Sequence, residues 1–358
     1  MNHYSHEQLF KFSKNVFKAM GCSEQDADIA SQTLLSADMR GVDSHGVARL
    51  SGYVRLWEKG RINPKAKIKI VHETPSTATV DGDSGLGLVV APFAMRVAIE
   101  KAKTAGTGWV AVRNSNHYGI AGYHAMKALK HDMIGISMTN ASPLVSPTFS
   151  KERMLGTNPI AMAIPAKKEP PFVGDFATTP AANGKLEVLQ RKGEKAPFGW
   201  IQDNKGNNTD DAHGVKEGGA WLPLGGDKLH GSHKGFILGS MVDILSAVLS
   251  GANYGPWAPP FVSFLEPSKD PVGEGLGHFF GAMRVDAFRP ADDFKKHMDN
   301  WIQRFRNSES ANPSQPVVIP GDPEREKEKE RSTNGIPVLA SVEKDLQELA
   351  RRFKLSFD

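Results

Sequence analysis

Apolar residues recur at helical spacing at the start of the chain. Leu9, Phe12, Val16 and Met20 fall three or four apart, which predicts a helix over residues 5–21. Ser5 and Gln8 make a capping-box pair at its start, and Gly21 is a suitable stop. Ser23 opens a second helix running to about Met39, and Leu50, Tyr53, Val54 and Trp57 mark a third from about Val47 to Lys59. The pattern then changes to short apolar runs between turn residues. Strands are predicted at 68–72, 77–83, 108–112, 134–140, 160–165, 172–177 and 279–288. Helices are predicted at 89–104, 120–131, 234–250, 291–306 and 341–354. Residues 183–232 are rich in Gly, Asn and Asp with little apolar periodicity, and read as loops and short hairpins. Residues 316–322 read as a short strand and turn, and the charged run 324–331 as a solvated face or loop. Strands and helices alternate without a steady βαβ rhythm, which favours a mixed α/β to α+β fold with an N-terminal helical region.

Composition narrows the function classes. The 358 residues suggest about two domains. Lys and Arg number 44 against 40 Asp and Glu, and the interspersed signs give no basic block of the nucleic-acid type. The one cysteine, Cys22, rules out an intramolecular disulfide and any Cys-based zinc site. The longest apolar stretch, 236–252, contains Asp243 and is too short for a bilayer span. With no secretory signal at the N-terminus, the expectation is a cytoplasmic protein that binds neither nucleic acid nor membrane.

Familiar nucleotide motifs fail. From Gly85 the chain reads GLGLVV and from Gly82 GDSGLG, and neither fits G-x-G-x-x-G/A. GDKLHGSH (226–233) lacks the P-loop lysine, and His230 and His233 follow no metal-ligand spacing, so no metal is expected. Three segments do suggest chemistry. In DSHGVARLSGY (43–53), a helix that includes His45 places His45, Arg49 and Tyr53 on one face. That pairs a proton-transfer group with a carboxylate-gripping guanidinium. The same spacing also fits a capped helix with a polar stripe facing solvent. In NSNHYGIAGYH (114–124), His117 ends a strand before a glycine turn, either lining a site or forming a hydrogen-bonded turn. TNASPLVSP (139–147) and GTNP (156–159) read as rigid loops offering backbone donors.

Taken in order, DSHGVARL (43–50), NSNHYGIAGYH (114–124), TNASPLVSP (139–147), GTNPIAMAIP (156–165), DFATT (175–179) and GSHKGFILGSMVDILSAVLSGA (231–252) resemble the type-2 malate/L-lactate dehydrogenase family over essentially the whole chain. The resemblance implies a non-Rossmann NAD(P)-binding fold of the L-sulfolactate dehydrogenase-like type, which accounts for the missing fingerprint. It implies a homodimer, a small carboxylic-acid substrate and NAD as cofactor, with NADP the alternative. It implies an N-terminal helical region over 1–75 packing with the C-terminal segment, a substrate and dimerisation domain over 76–125 and 250–358, and a cofactor domain over 126–249. By resemblance His45 and His117 are the catalytic candidates. Ser44, Arg49, Tyr53, Asn140 and Thr157 are the substrate-binding ones. His117, Asp175, Phe176, Ala177, Thr178, Thr179, Lys234, Gly235, Gly321, Asp322 and Pro323 are the cofactor-contacting ones, with Asp322 standing where the family usually has Glu. Arg191, Lys192 and Lys195 are candidate cations for an NADP phosphate, and Glu187 and Glu194 candidate acids for NAD.

The expected reaction is hydride transfer between a 2-hydroxy acid and nicotinamide, (S)-malate to oxaloacetate first. Sulfolactate, lactate, ureidoglycolate, diketogulonate or a cyclic imino acid are the alternatives. A catalytically idle binding protein on the same scaffold would have lost His45 or His117, and both are present.

Overall fold

In chain order the protein runs β1 (Asn2–Tyr4), α1 (His6–Ala19), α2 (Glu24–Met39), α3 (Leu50–Glu58), β2 (Lys69–Glu73), β3 (Thr77–Asp81), α4 (Gly87–Ala105), β4 (Thr107–Ser115), α5 (Ala121–Met126), β5 (Met133–Thr139), β6 (Ile160–Ile164) and β7 (Phe172–Phe176). There follow α6 (Asn183–Lys192), β8 (Ile201–Gln202), β9 (Asn208–Thr209), β10 (Ala220–Trp221), α7 (Ser232–Asp243), β11 (Leu276–Arg284), α8 (Ala291–Arg306), α9 (Asp322–Asn334), β12 (Ile336–Val338) and α10 (Ala340–Phe353). The structure is a computed structural model that describes residues 1–357.

The centre is a seven-stranded mixed sheet in the order β2-β3-β4-β11-β5-β6-β7. Only β3 and β4 pair in parallel, because α4 supplies the crossover between them. β11 arrives late in the chain and inserts between β4 and β5, antiparallel to both. The expected boundary at residue 126 therefore crosses one continuous sheet, since β5 from the stretch 126–249 pairs with β11 from the stretch 250–358.

Three apolar cores surround this sheet. Leu9, Phe17, Leu34 and Leu50 of the N-terminal helices bury against Val342 and Leu346 of α10. β1 pairs antiparallel with β12, so the chain's two ends share one lobe. α4 and α5 cover the sheet through Met95, Ala98 and Ala125 against Val110 and Phe280. The third core gathers Leu186, Ile201, Val215 and Trp221 beneath the small β8–β10 sheet.

The capping box at Ser5 forms as the sequence predicts, with side chain and backbone bonds in both directions. Three local expectations are corrected, and the charged run read as a solvated face or loop is a solvated helix face. Residues 183–192 form α6, whose buried face is little more than Leu186 with the partly buried Leu189, too narrow to show as periodicity. Residues 324–331 lie in α9, where the charges pair along the helix, as in Asp322–Arg325 and Lys327–Glu330. Residues 316–322 form no strand, because a tight turn at Gly321 caps α9 directly. The strand expected at 279–288 is shifted to Leu276–Arg284 and ends where Val285–Ala287 winds into a 3-10 turn.

Candidate functional site

Between α2 and α3 the chain does not continue as a helix. It makes two 3-10 turns, Asp43–His45 and Val47–Arg49, so His45 and Arg49 are not on one regular helical face. The turns are anchored from below. The buried Asp38 carboxylate accepts the Val47 N–H at 2.8 Å, and burial pushes its pKa well above the ordinary value. Arg331 of α9 reaches the Asp38 carbonyl and pairs with the Asp43 carboxylate. Gly46 makes this packing possible. A Cβ there would lie 2.0 Å from Asp38 Oδ1, inside the carboxylate.

The turn brings two imidazoles together. His45 and His117 stack with centroids 5.6 Å apart and planes 26° apart. His45 Nδ1 is 2.9 Å from Ser44 Oγ, and His117 Nδ1 is 2.6 Å from the buried Tyr53 hydroxyl. Among the described residues, neither ring's Nε2 has a hydrogen-bond partner. Surrounding protein and the Arg49 charge hold His45 down at about 4. His117 is held well below its ordinary value by burial first, then by His45, Arg49 and His278. Both rings are therefore neutral at pH 7, and a proton placed on one disfavours a proton on the other.

Arg49 lies beside this pair. Its Nε donates to the Ser44 carbonyl, and its guanidinium stands 5.9 Å from the centroid of Phe261. Phe261 packs on His117 at 4.6 Å and edge-on to Tyr53 at 5.3 Å. From the other side α6 closes over the turn. A Cβ at Gly184 would sit 2.3 Å from Ser44 Cβ, so the helix rests directly on the Ser44 side chain. One turn on, Glu187 lies 3.7 Å from Arg49 and accepts from Asn183 at 3.0 Å.

A cleft of about 150 Å³ opens at His45, between the start of α5 and the end of β7. Thr157, Asp175, Phe176 and Ala177 line it together with Gly122, whose N–H donates to Asp175 Oδ2 at 2.7 Å. These predicted residues are thus brought together with a catalytic candidate. Others are not in the cleft wall. Thr178 and Thr179 are buried and spend their hydroxyls on the Thr157 and Ala181 carbonyls. Asn140 is buried and tied to the Asn253 carbonyl and the Gly277 N–H, so its side chain holds β5 to the segments beside β11. Gly235 lies against the backbone of Leu224, where a Cβ would meet N and O at 2.3 Å, and Lys234 beside it is exposed. Gly321 adopts φ +98° and caps α9, Pro323 is the second residue of that helix, and Asp322 pairs with Arg306 and Arg325.

These segments nevertheless line up along β7 and its extension. Val173 donates to the Pro320 carbonyl at 3.0 Å, Leu224 donates to the Thr178 carbonyl at 2.9 Å, and a Cβ at Gly239 of α7 would lie 3.1 Å from Thr178 Oγ1. The cleft is walled by Gly119, Ala121, Gly122, Ala177 and Ala182, with the half-exposed Phe176 at its rim. Small walls leave room for a planar ring beside His45, and the aligned segments extend the track. These residues fit a nicotinamide cofactor.

Sequence reasoning missed Asp38, Gly184, Phe261 and Arg331, and placed Glu187 elsewhere. Glu187 faces Arg49, Lys192 pairs with Glu194, and Lys195 pairs with Asp210, so none of these lines the cleft at His45. Among the described residues no cluster of three or more His, Cys, Asp or Glu is placed to hold a metal ion, and no helix is long and apolar enough to cross a membrane.

Comparison with known proteins gives the family. The profile of the malate/L-lactate dehydrogenase family matches residues 4–347. The chain is 46% identical to a malate dehydrogenase of Pyrococcus abyssi over 97% of its own length and 93% of the relative's. It is 38% identical to an L-sulfolactate dehydrogenase of Methanocaldococcus jannaschii, covering 96% of this chain and 95% of that one. The solved structure of a malate dehydrogenase from Pyrococcus horikoshii superimposes with a TM-score of 0.90 at 41% identity, covering 99% and 96% of the two chains. The chain belongs to the malate/L-lactate dehydrogenase family of oxidoreductases.

Proposed function

We propose that the chain interconverts (S)-malate and oxaloacetate with NAD, using His117 as the proton carrier and Arg49 as the carboxylate clamp. The observation that carries this reading is the stacked His45–His117 pair beside Arg49, opening on a small-walled cleft. The bound cofactor supplies or accepts a hydride at the nicotinamide ring. Arg49 grips the carboxylate next to the reacting carbon and fixes its orientation. In the oxidising direction His117 Nε2 takes the hydroxyl proton, in the tautomer that carries its other proton on Nδ1 towards the Tyr53 hydroxyl. In the reducing direction the imidazolium returns that proton to the developing alkoxide. His45 and the Ser44 hydroxyl complete the polar wall around the oxygen.

Malate oxidation across pH tests the proton carrier. A base must be unprotonated to act, and burial lowers the pKa of both rings, so the active form is present above the lowered value. Since kcat/KM reports the free enzyme, it is expected to stay level from pH 8 down through the ordinary imidazole range, with its acid limb displaced below that range. An acid limb at about 6.5, the ordinary imidazole value, would contradict the neutral buried pair.

The clamp has its own test. Arg49→Ala is expected to raise KM for oxaloacetate by about 10- to 100-fold, the worth of charge-assisted hydrogen bonds. NADH affinity is expected to stay within about twofold. Lost NADH binding with unchanged KM would move Arg49 to the cofactor.

The chain is also proposed to act as a homodimer. Ile237, Met241, Ile244, Val248 and Leu249 make an exposed apolar row along α7 and the π turn after it, the kind of surface that a second copy covers.

A further inference from the structure

Arg49 lines a second cleft of about 350 Å³, between α3 and α6. This second cleft is strongly basic. Arg49 and Arg55 both line it, and each guanidinium carbon lies 5.9 Å from the ring centroid of Phe261. Arg55 donates to the Phe261 carbonyl and, among the described residues, pairs with no carboxylate. Burial and the Arg49 charge both lower its pKa, so the two arginines face each other as like charges. Lys216 and His213 stand on the opposite wall. Among the described residues Glu187 is the only carboxylate lining the cleft, and it reaches Arg49 at 3.7 Å, longer than a hydrogen bond.

Half-buried guanidinium groups without full counter-charge make a site for an anion. Phe261 links this cleft to the chemistry, because the same ring packs on His117 and lies near both guanidinium groups. We infer that this cleft receives the second anionic group, carboxylate or sulfonate, of a dianionic 2-keto acid, and that Arg55 is the specificity-determining residue that holds it. Glu187 stands against Arg49 until the substrate's own anion displaces it. The inference rests on the proposed reaction. Its logic is that a monoanionic acid leaves Arg55 without a partner, whereas a dianion gives both arginines one.

The test is steady-state reduction of oxaloacetate and of pyruvate at saturating NADH, by wild type, Arg55→Gln, Arg55→Lys and Glu187→Gln. The quantity read is the ratio of kcat/KM for oxaloacetate to that for pyruvate. Arg55→Gln is expected to lower this ratio at least about tenfold, the effect of one charge-assisted bond. Arg55→Lys is expected to recover most of it. Glu187→Gln is expected to lower KM for oxaloacetate severalfold, because a competing carboxylate is gone. A ratio within twofold of wild type in Arg55→Gln overturns the inference. If that variant turns over neither acid, Glu187→Gln decides, and an unchanged or raised KM for oxaloacetate overturns it. A wild-type enzyme that reduces neither acid overturns the proposed reaction itself, which separates that failure from failure of the subsite.

Discussion

Replacing His117 with alanine is expected to lower kcat by about 10²–10⁴-fold in both directions, the usual contribution of a positioned acid or base. The reason is the tie at its back. Tyr53 is fully buried and holds Nδ1 at 2.6 Å, which leaves Nε2 as the nitrogen that moves the proton. His45→Ala is expected to cost at least about tenfold, since it removes the ring stacked on His117 and the polar wall beside it. NADH binding is expected to survive in both variants, as measured by fluorescence titration. Near-wild-type turnover in His117→Ala would remove it from the proton path.

The second large effect is expected from a methyl group. Gly46→Ala puts a Cβ 2.0 Å from Asp38 Oδ1 and 2.2 Å from Oδ2. The carboxylate has nowhere to go, because it is buried and holds the Val47 N–H. Either the carboxylate or the 43–49 turn must shift, and overpacking of this kind costs about 1–3 kcal/mol or more. The turn carries Ser44, His45 and Arg49, and a displacement of about 1 Å at a reacting group can cost about 10²-fold in rate. Gly46→Ala is therefore expected to lower both the Tm and kcat/KM, the latter at least about tenfold. Unchanged values of both would show that Asp38 does not position the turn.

Much of this site was legible in the sequence, for identifiable reasons. His45, Arg49 and Tyr53 sit four apart, and that spacing singled them out. The structure brings them together, though by two 3-10 turns rather than one helix. His117 was legible because a strand ends in Asn-Ser-Asn-His before Gly119. What joined the two segments was not, since Phe261 arrives from far along the chain within a proline-rich loop that has no period. Glu187 was hidden for a related reason. α6 buries mainly Leu186, so the stretch looks like loop, and only tertiary packing of Gly184 on Ser44 makes it part of the site. Arg331 was hidden inside a run of alternating charge, where nothing distinguishes the one buried arginine from its solvated neighbours. The insertion of β11 between β4 and β5 is equally silent in sequence, because strand order is decided by long-range pairing and not by local pattern.

The most direct test is the initial rate of NADH oxidation, then NADPH oxidation, with oxaloacetate, sulfopyruvate, pyruvate and a cyclic imino acid in parallel. The expected result is rapid oxidation of NADH with oxaloacetate, slower oxidation of NADPH, and a marked preference for the dianionic acids over pyruvate. Oxidation with none of the four, by folded protein shown to bind NADH, would contradict the proposed reaction.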